Sequence, residues 1–150
     1  MKRTLLLAAF AAAFSASAMA QTPTEALSVV SGDKTHAFQV EVADTLPEIS
    51  TGLSGRASLA KDRGLLMDFR QVREQFNLNM KGVQVDLDML FIDGDGMVRA
   101  IATSARPGSL RTVAPGLGAA AVLQIAGGQA MALGIKPGDT VKNKIFGNGG

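Results

Sequence analysis

The sequence contains no cysteine, no tryptophan, no tyrosine and only one histidine among its 150 residues. Without cysteine it forms no disulfide, and it lacks the thiolates and the several imidazoles from which most zinc sites are built. Its residues are 47% hydrophobic and 19% charged, which excludes a long disordered chain. The length allows one domain. We predict neither a metal site nor a cofactor.

The N-terminal segment has the pattern of a secretory signal peptide. Lys2 and Arg3 form a positive n-region, an apolar run of Leu, Ala and Phe follows, and Ala18-Met19-Ala20 is a small-x-small cleavage site before Gln21. The apolar run is shorter than the roughly 18 to 20 residues that a membrane-spanning helix needs. We therefore expect residues 1–20 to be removed and the protein to be periplasmic or secreted, with no membrane span.

The charge balance argues against a nucleic-acid partner. Lys2 and Arg3 account for the net charge of +2, so 13 basic and 13 acidic residues follow the signal peptide. Nucleic-acid binding needs clustered Lys and Arg with aromatic side chains for base stacking, and these charges are scattered. We expect the partner to be a small polar or anionic ligand or an envelope protein. Exposed strand edges allow a monomer or a dimer.

Short alternating strands separated by Gly-rich turns predict a mostly β domain, either a β-sandwich or a partly open antiparallel barrel, with two short helices. Residues 119–126 have the Ala content of a helix, but Gly127-Gly128 ends the segment early and favours a strand. The predicted strands cover Leu27–Val29, Phe38–Val42, Gly64–Phe69, Val83–Ile92, Met97–Ala102, Ala119–Ala126 and Thr140–Phe146.

Local signals place the helices and one hairpin. Thr45-Leu46-Pro47-Glu48 is a capping box with Pro in the first turn, which predicts a helix ending near Gly52 or Gly55. Gln129–Leu133 forms a helical turn closed by Gly134, and Asp93-Gly94-Asp95-Gly96 is a hairpin turn. Along the chain we predict a flexible lead-in and first strand over residues 21–36, the main domain over 37–146 and a frayed tail over 147–150.

An ordered series of short motifs runs from about Phe38 to Val141. It comprises Val40–Thr45, Gly52-Leu53, Gly55-Arg56, Gly64–Leu66, Met80-Lys81, Leu87–Asp93, Val122-Leu123, Ala126-Gly127, Gly134-Ile135 and Gly138-Asp139. In this series the chain resembles the domain-of-unknown-function 192 family, also called uncharacterised protein family 0127. The resemblance implies a small, mostly β domain, often exported, with no established biochemical activity.

The chain departs from that family at its most distinctive motif. Members typically carry Trp-Met-Lys-Asn-Thr and then Leu-Asp, whereas this chain has Asn79-Met80-Lys81-Gly82-Val83. Asp86 stands where Pro is usual, and Gln124 stands where many members have Glu. Whatever this segment does in other members need not carry over to this chain.

Four residues form the candidate ligand-binding site: Arg56, Met80, Lys81 and Asp88. In the functional interpretation, Lys81 and Arg56 hold an anionic or polar ligand, Asp88 orients one of them, and Met80 is an exposed thioether beside them. In the structural interpretation, which we favour, Asp88 accepts backbone hydrogen bonds and pairs with Arg56 to fix its strand. No catalytic residue is predicted.

These residues favour a non-enzymatic ligand-binding or accessory module of the cell envelope. One alternative is a carboxylate-dependent, hydrolase-like enzyme using Asp88. Asp86 and Asp88 would share a strand face with their carboxylates about 6 to 7 Å apart, although a solvated face is the better interpretation of Asp86. Another alternative is a structural or protein-interaction module without a small ligand.

Overall fold

The computed structural model describes residues 22–72, 77–113 and 119–149. The predicted signal peptide, residues 1–20, lies outside the described residues. No helix in the described ranges is long and apolar enough to cross a membrane. The described elements are β1 (Glu25–Ser31), β2 (Lys34–Ala43), α1 (Leu46–Thr51), β3 (Arg63–Asp68), β4 (Leu87–Ile92), β5 (Val98–Ala105), β6 (Ala121–Ala126), α2 (Gln129–Leu133) and β7 (Thr140–Lys142), with a 3-10 turn at Lys144–Phe146.

The strands form one curled sheet in the order β5-β4-β6-β3-β2-β1-β7. The sheet curls until its two edge strands meet, where Met97 and Thr140 form an isolated antiparallel bridge. Beside this bridge, Val98 N donates to Asp139 O at 2.8 Å. The molecule is thus a half-barrel whose rim is joined between residues 96–98 and residues 138–141. The prediction of a mostly β fold with two short helices is confirmed.

One strand pair departs from the antiparallel expectation. β2 and β3 are parallel, with Val40 beside Gly64 and Ala43 beside Met67, while every other described pair of strands is antiparallel. Parallel neighbours need a crossover connection and cannot be joined by a tight turn. Here α1 and the residues after it make that crossover, so the predicted wholly antiparallel sheet was wrong at this pair.

A tight turn joins the first two strands, and the predicted capping box forms. β1 and β2 form a hairpin around Gly32 and Asp33, and Gly32 has the positive φ of 61° that such a tight turn requires. Thr45 caps α1: its hydroxyl accepts from Glu48 N, and the Glu48 carboxylate accepts from Thr45 N. The helix ends at Thr51 with Gly52 as its C-cap, at the earlier of the two predicted positions.

The predicted strand over Val83–Ile92 was too long at its start. The strand begins at Leu87, because a turn precedes it in which Val83 N donates to Met80 O at 3.1 Å. The expected alternation between a buried and an exposed face is also absent, since all six residues of β4 are buried. A strand in the middle of a sheet that is covered on both faces buries both sets of side chains.

The end of the chain also differs from its prediction. β6 and α2 lie where the sequence places them, but β7 ends at Lys142 and not at Phe146. Asn143 stops the strand, because its Oδ1 accepts from Ile145 N and caps the 3-10 turn. Asn148, which the sequence assigns to a frayed tail, donates to Val141 O at 3.0 Å and so ties this segment to β7.

The core has two parts, the first core and the second core, which lie on opposite faces of the sheet. Within β4, residues alternate between them, Leu90 facing one part and Met89 the other. The first part also holds side chains from β1, β2 and β7 together with Ala130 of α2. The second part lies under α1 and the segment 78–83, with Ile49 and Met80 among its buried members. The candidate site therefore depends on which face each residue occupies.

Three buried carboxylates at the ends of strands make the fold sensitive to acid. The hydrogen bond from the Arg70 guanidinium holds the pKa of Asp68 below its ordinary value. Burial alone would raise the pKa of Asp93 and of Asp139, but hydrogen bonds from nearby backbone amides and from the partners Arg99 and Lys136 outweigh it, and both pKa values are lowered. All three groups therefore stay ionised in the folded protein at a pH at which they bind protons in the unfolded chain.

We expect the contribution of these three carboxylates to the free energy of unfolding to be complete above the ordinary Asp pKa of about 3.9 and to fall as the pH drops below it. Below that pH the unfolded state binds more protons than the folded state, until the lowered pKa values of Asp68, Asp93 and Asp139 are also passed. Urea unfolding across an acid pH series measures this loss. Asp68→Asn should weaken the pH dependence, and Asp62→Asn, at an exposed position, should leave it unchanged. A wild type whose free energy of unfolding does not fall as the pH drops below about 3.9 would contradict the expectation.

Candidate functional site

The structure does not bring the four predicted ligand-binding residues together. Arg56 lies in a groove beside β2, Met80 and Lys81 lie in the loop before β4, and Asp88 lies within β4. Asp88 and Leu90 are two residues apart on this strand, so they share the face of the sheet that carries the first core. The loop that carries Met80 packs over the second core, on the other face. Asp88 is therefore separated from Lys81 by the sheet itself.

Asp88 is fully buried and is held by backbone amides. Its Oδ1 accepts from Ser104 N at 2.8 Å, and its Oδ2 accepts from Ala130 N at 2.9 Å. The first bond fills a β-bulge, because the pairing of β4 with β5 shifts register between Leu87 and Met89. This carboxylate therefore joins β4 to both β5 and α2, as the structural interpretation expects.

Arg56 pairs with Glu41 of β2 and not with Asp88 as predicted. The pair is bidentate, with Nη1 to Oε1 at 2.8 Å and Nη2 to Oε2 at 2.6 Å. This hydrogen bonding raises the pKa of Arg56 further above its ordinary value. The predicted partner was wrong because the segment after α1 runs beside β2, while β4 lies on the far side of β6 and β3. The pair borders a separate groove of about 380 Å³.

Met80 is a buried anchor, with 1% of its surface exposed. Its N donates to Ser109 O at 2.9 Å, and its O accepts from Gly108 N and from Val83 N, both at 3.1 Å. These bonds fix the loop on the segment 106–109 and place the thioether in the second core. The prediction of an exposed Met80 was wrong because the apolar side chain fills the space under the loop.

A cleft of about 480 Å³ lies between α1, with the residues after it, and the segment 77–83. Its two walls are joined by backbone and side-chain bonds, from Gly55 N to Gly82 O at 3.0 Å and from Ser54 Oγ to Lys81 O at 3.3 Å. Its described apolar lining is Ile49, Leu53, Met67, Leu78 and Val83, and its described polar lining is Ser50, Thr51, Ser54, Asn77, Asn79, Lys81 and Gln124.

Gln124 of β6 brings an unpaired polar group to this cleft. The side chain is 4% exposed, and its Oε1 has no hydrogen-bond partner among the described residues. In the sheet it lies beside Leu65 of β3 and Met89 of β4, so its neighbours on this face are apolar. A buried acceptor without a donor costs about 1 to 3 kcal/mol. A ligand that brings a donor to Oε1 would recover that cost.

Lys81 gives the cleft its charge. It is exposed and is the one charged residue among the described lining residues. It forms no ion pair with any residue in the described ranges. Its backbone is held in place, because Lys81 N donates to Asn79 Oδ1 at 2.9 Å. Of the four predicted site residues, Lys81 is therefore the one that lines the cleft with a free polar group.

In the sequence, Gln124 stands out only as a departure from the family pattern, and it was not predicted to belong to the site. A signal was present, because Gln124 is a polar residue inside the apolar run Val122–Ile125. Polar side chains in a buried strand need a partner. The pattern alone does not show that this partner is missing, since the missing bond depends on strands distant in sequence.

Asp86 and Asp93 lie on either side of β4 and have different surroundings. Asp86 precedes β4 and is exposed, so the prediction that it shares a strand face with Asp88 was wrong. Asp93 is a turn residue, as predicted, and its Oδ1 accepts from Asp95 N and Met97 N. Among the described residues, no group of three or more His, Asp or Glu side chains is arranged to hold a metal ion.

Two solved structures resemble this half-barrel. A protein of unknown function from Novosphingobium aromaticivorans DSM 12444 is 32% identical, with a TM-score of 0.76 over 80% of this chain and 85% of that one. A provisionally named transcription regulator from Sinorhizobium meliloti 1021 is 31% identical, with a TM-score of 0.78 over 83% of this chain and 96% of that one. Among curated proteins no sequence matches this chain.

The family comparison agrees with the motif series. The family model DUF192, described as Uncharacterized ACR, matches residues 28–143. The matched range includes all of β2 to β7 and both helices, and with them every described residue that lines the cleft. The chain therefore belongs to the domain-of-unknown-function 192 family.

Proposed function

We propose that this protein is an exported, non-enzymatic module of the cell envelope that binds a small polar ligand in the cleft between α1 and the segment 77–83. The observation that carries the proposal is the unpaired Oε1 of Gln124, which is buried at a cleft large enough for a small molecule. Export rests on the signal-peptide pattern of residues 1–20.

The chemistry of the lining supports binding more than turnover. Its described polar groups are hydroxyls, amides and the Lys81 ammonium, without a carboxylate or an imidazole to act as a general base. Asp88, the residue on which an enzyme was considered, lies on the other face with both carboxylate oxygens occupied. The regulator description of the Sinorhizobium protein is not carried over, because balanced, scattered charges do not favour nucleic-acid binding.

Native mass spectrometry of the protein purified gently from the envelope fraction of its own host tests this proposal. We expect the mass of a polypeptide that begins at Gln21, together with a discrete mass excess from a retained ligand. Gln124→Leu should lose the mass excess, because it removes the acceptor while keeping an apolar side chain of similar size. Gln39→Leu, at an exposed position of β2, is the matched control and should keep the mass excess.

Two results would contradict the proposal. A mass excess that persists in Gln124→Leu would locate the ligand elsewhere. A clean polypeptide mass for the wild type and for both variants would favour a protein-interaction module without a small ligand, and capture of partner proteins would then be the next experiment. A mass that still includes residues 1–20 would contradict only the expected cleavage of the signal peptide.

A further inference from the structure

We infer that the ligand of this cleft is a short hydroxycarboxylate, whose hydroxyl donates to Gln124 Oε1 and whose carboxylate binds Lys81. This inference rests on the proposed function and adds the chemical class of the ligand. It follows from three parts of the cleft that differ in chemistry: a buried neutral acceptor, apolar walls and one cation that has no partner among the described residues.

The buried end of the cleft calls for a neutral donor. Gln124 Oε1 is a carbonyl oxygen, and it accepts hydrogen bonds without carrying a full charge. An ammonium group placed there would need a nearby anion to repay its desolvation, and no described lining residue is acidic. A hydroxyl satisfies the acceptor at lower cost, so the inner end of the ligand is a hydroxyl.

The walls of the cleft suit a short hydrocarbon segment. Ile49 and Leu53 come from α1 and the turn after it, Leu78 and Val83 come from the opposite segment, and Met67 comes from β3. All five lie in the second core and are buried, with exposed fractions between 2% and 8%. Methylene groups between the two polar ends of the ligand would bury apolar surface against these side chains.

The exposed end of the cleft favours an anion. Lys81 is the one charged group in the described lining. Arg106 and Arg111 lie at the two ends of a segment that is bonded to the same loop through Ser109 O and Met80 N. Both arginines are exposed and form no ion pair with a described residue. A carboxylate would meet Lys81 in a charge-assisted hydrogen bond.

Binding of matched small molecules to the mature protein tests the two ends separately. The probes are γ-hydroxybutyrate and its longer homologue ε-hydroxycaproate, with γ-hydroxybutyramide lacking the charge, butyrate lacking the donor, and γ-aminobutyrate carrying an ammonium in its place. Amide chemical shifts in NMR titrations report affinity and location together. We expect a hydroxycarboxylate to bind about tenfold or more tightly than the amide or the alkanoate, as the loss of a charge-assisted or buried hydrogen bond implies.

Variants then assign each preference to its residue. Lys81→Ala should remove the preference for carboxylate over carboxamide, and the exposed Lys61→Ala is the matched control that should keep it. Gln124→Leu should remove the preference for γ-hydroxybutyrate over butyrate. The inferred class would be overturned if wild-type protein bound γ-hydroxybutyramide or butyrate as tightly as γ-hydroxybutyrate. It would also be overturned if γ-aminobutyrate bound more tightly than γ-hydroxybutyrate. If native mass spectrometry shows a retained ligand and no probe binds, the ligand class fails and the proposed function stands; if neither is seen, both fail.

Discussion

Replacing Asp88 by Ala is expected to lower the free energy of unfolding by about 2 to 4 kcal/mol. The carboxylate is fully buried and accepts from Ser104 N in β5 and Ala130 N in α2. Its removal leaves the Ala130 N–H buried without a partner and opens the bulge at which Ser104 is held with a φ of 50°. Urea unfolding followed by circular dichroism measures the change.

Asp88→Asn separates a structural role from a catalytic one. The amide keeps the shape of the carboxylate but has one acceptor oxygen, and its NH2 group meets a backbone N–H that also donates. We therefore expect a smaller but clear loss of stability. Asp86→Ala is the matched control, because Asp86 is exposed and its side chain makes no hydrogen bond in the described structure, and it should change stability by less than about 0.5 kcal/mol. An Asp88→Asn variant as stable as the wild type would contradict the structural role.

Replacing Gln124 by Leu is expected to raise the free energy of unfolding by about 1 to 2 kcal/mol in the absence of ligand. The native amide brings an unpaired carbonyl oxygen into apolar surroundings, beside Leu65 and Met89. Leucine has similar volume and needs no hydrogen bond. The same change should abolish ligand retention, so one substitution would gain stability and lose binding.

That combination distinguishes a binding residue from a structural one. Binding sites commonly hold groups that are unfavourable for the free protein and favourable in the complex. Thermal unfolding of ligand-free wild type, Gln124→Leu and the surface control Gln39→Leu measures the effect. A loss of stability in Gln124→Leu would show instead that the amide makes bonds on which the fold depends. The proposal that Gln124 Oε1 binds a ligand in the cleft would then be contradicted.

Local signals in the sequence were sufficient for the elements that they specify. The capping box at Thr45 and Glu48 and the turn at Asp93 involve groups within four residues of each other, and both form as predicted. The start of β4 was misplaced because Val83 and Val85 continue the apolar pattern while a turn closed at Met80 removes them from the sheet. Hydrophobic pattern does not distinguish a buried strand residue from a buried loop residue.

The site was less predictable, because its geometry depends on contacts between distant segments. Arg56 pairs with Glu41 because β2 and β3 are parallel neighbours joined through α1. A helix was predicted between these two strands, but the hydrophobic pattern does not specify which strands lie side by side. The backbone bonds of Asp88 were anticipated in kind, but their donors, in β5 and α2, were not. Lys81 was identified from a motif, while the unpaired state of Gln124 required the whole sheet.

The pairing of β1 with β7 determines when this sheet can be completed. Val29 of the first strand lies beside Val141 of the last, and Asn143 donates from its side chain to Ala26 O. The chain therefore cannot close its first hairpin into the finished half-barrel until its C-terminal residues are available, and contacts between distant segments slow folding. A sheet that cannot be completed before β7 is available delays the finished fold, which suits a chain that crosses a membrane in an extended state, as the proposed export requires.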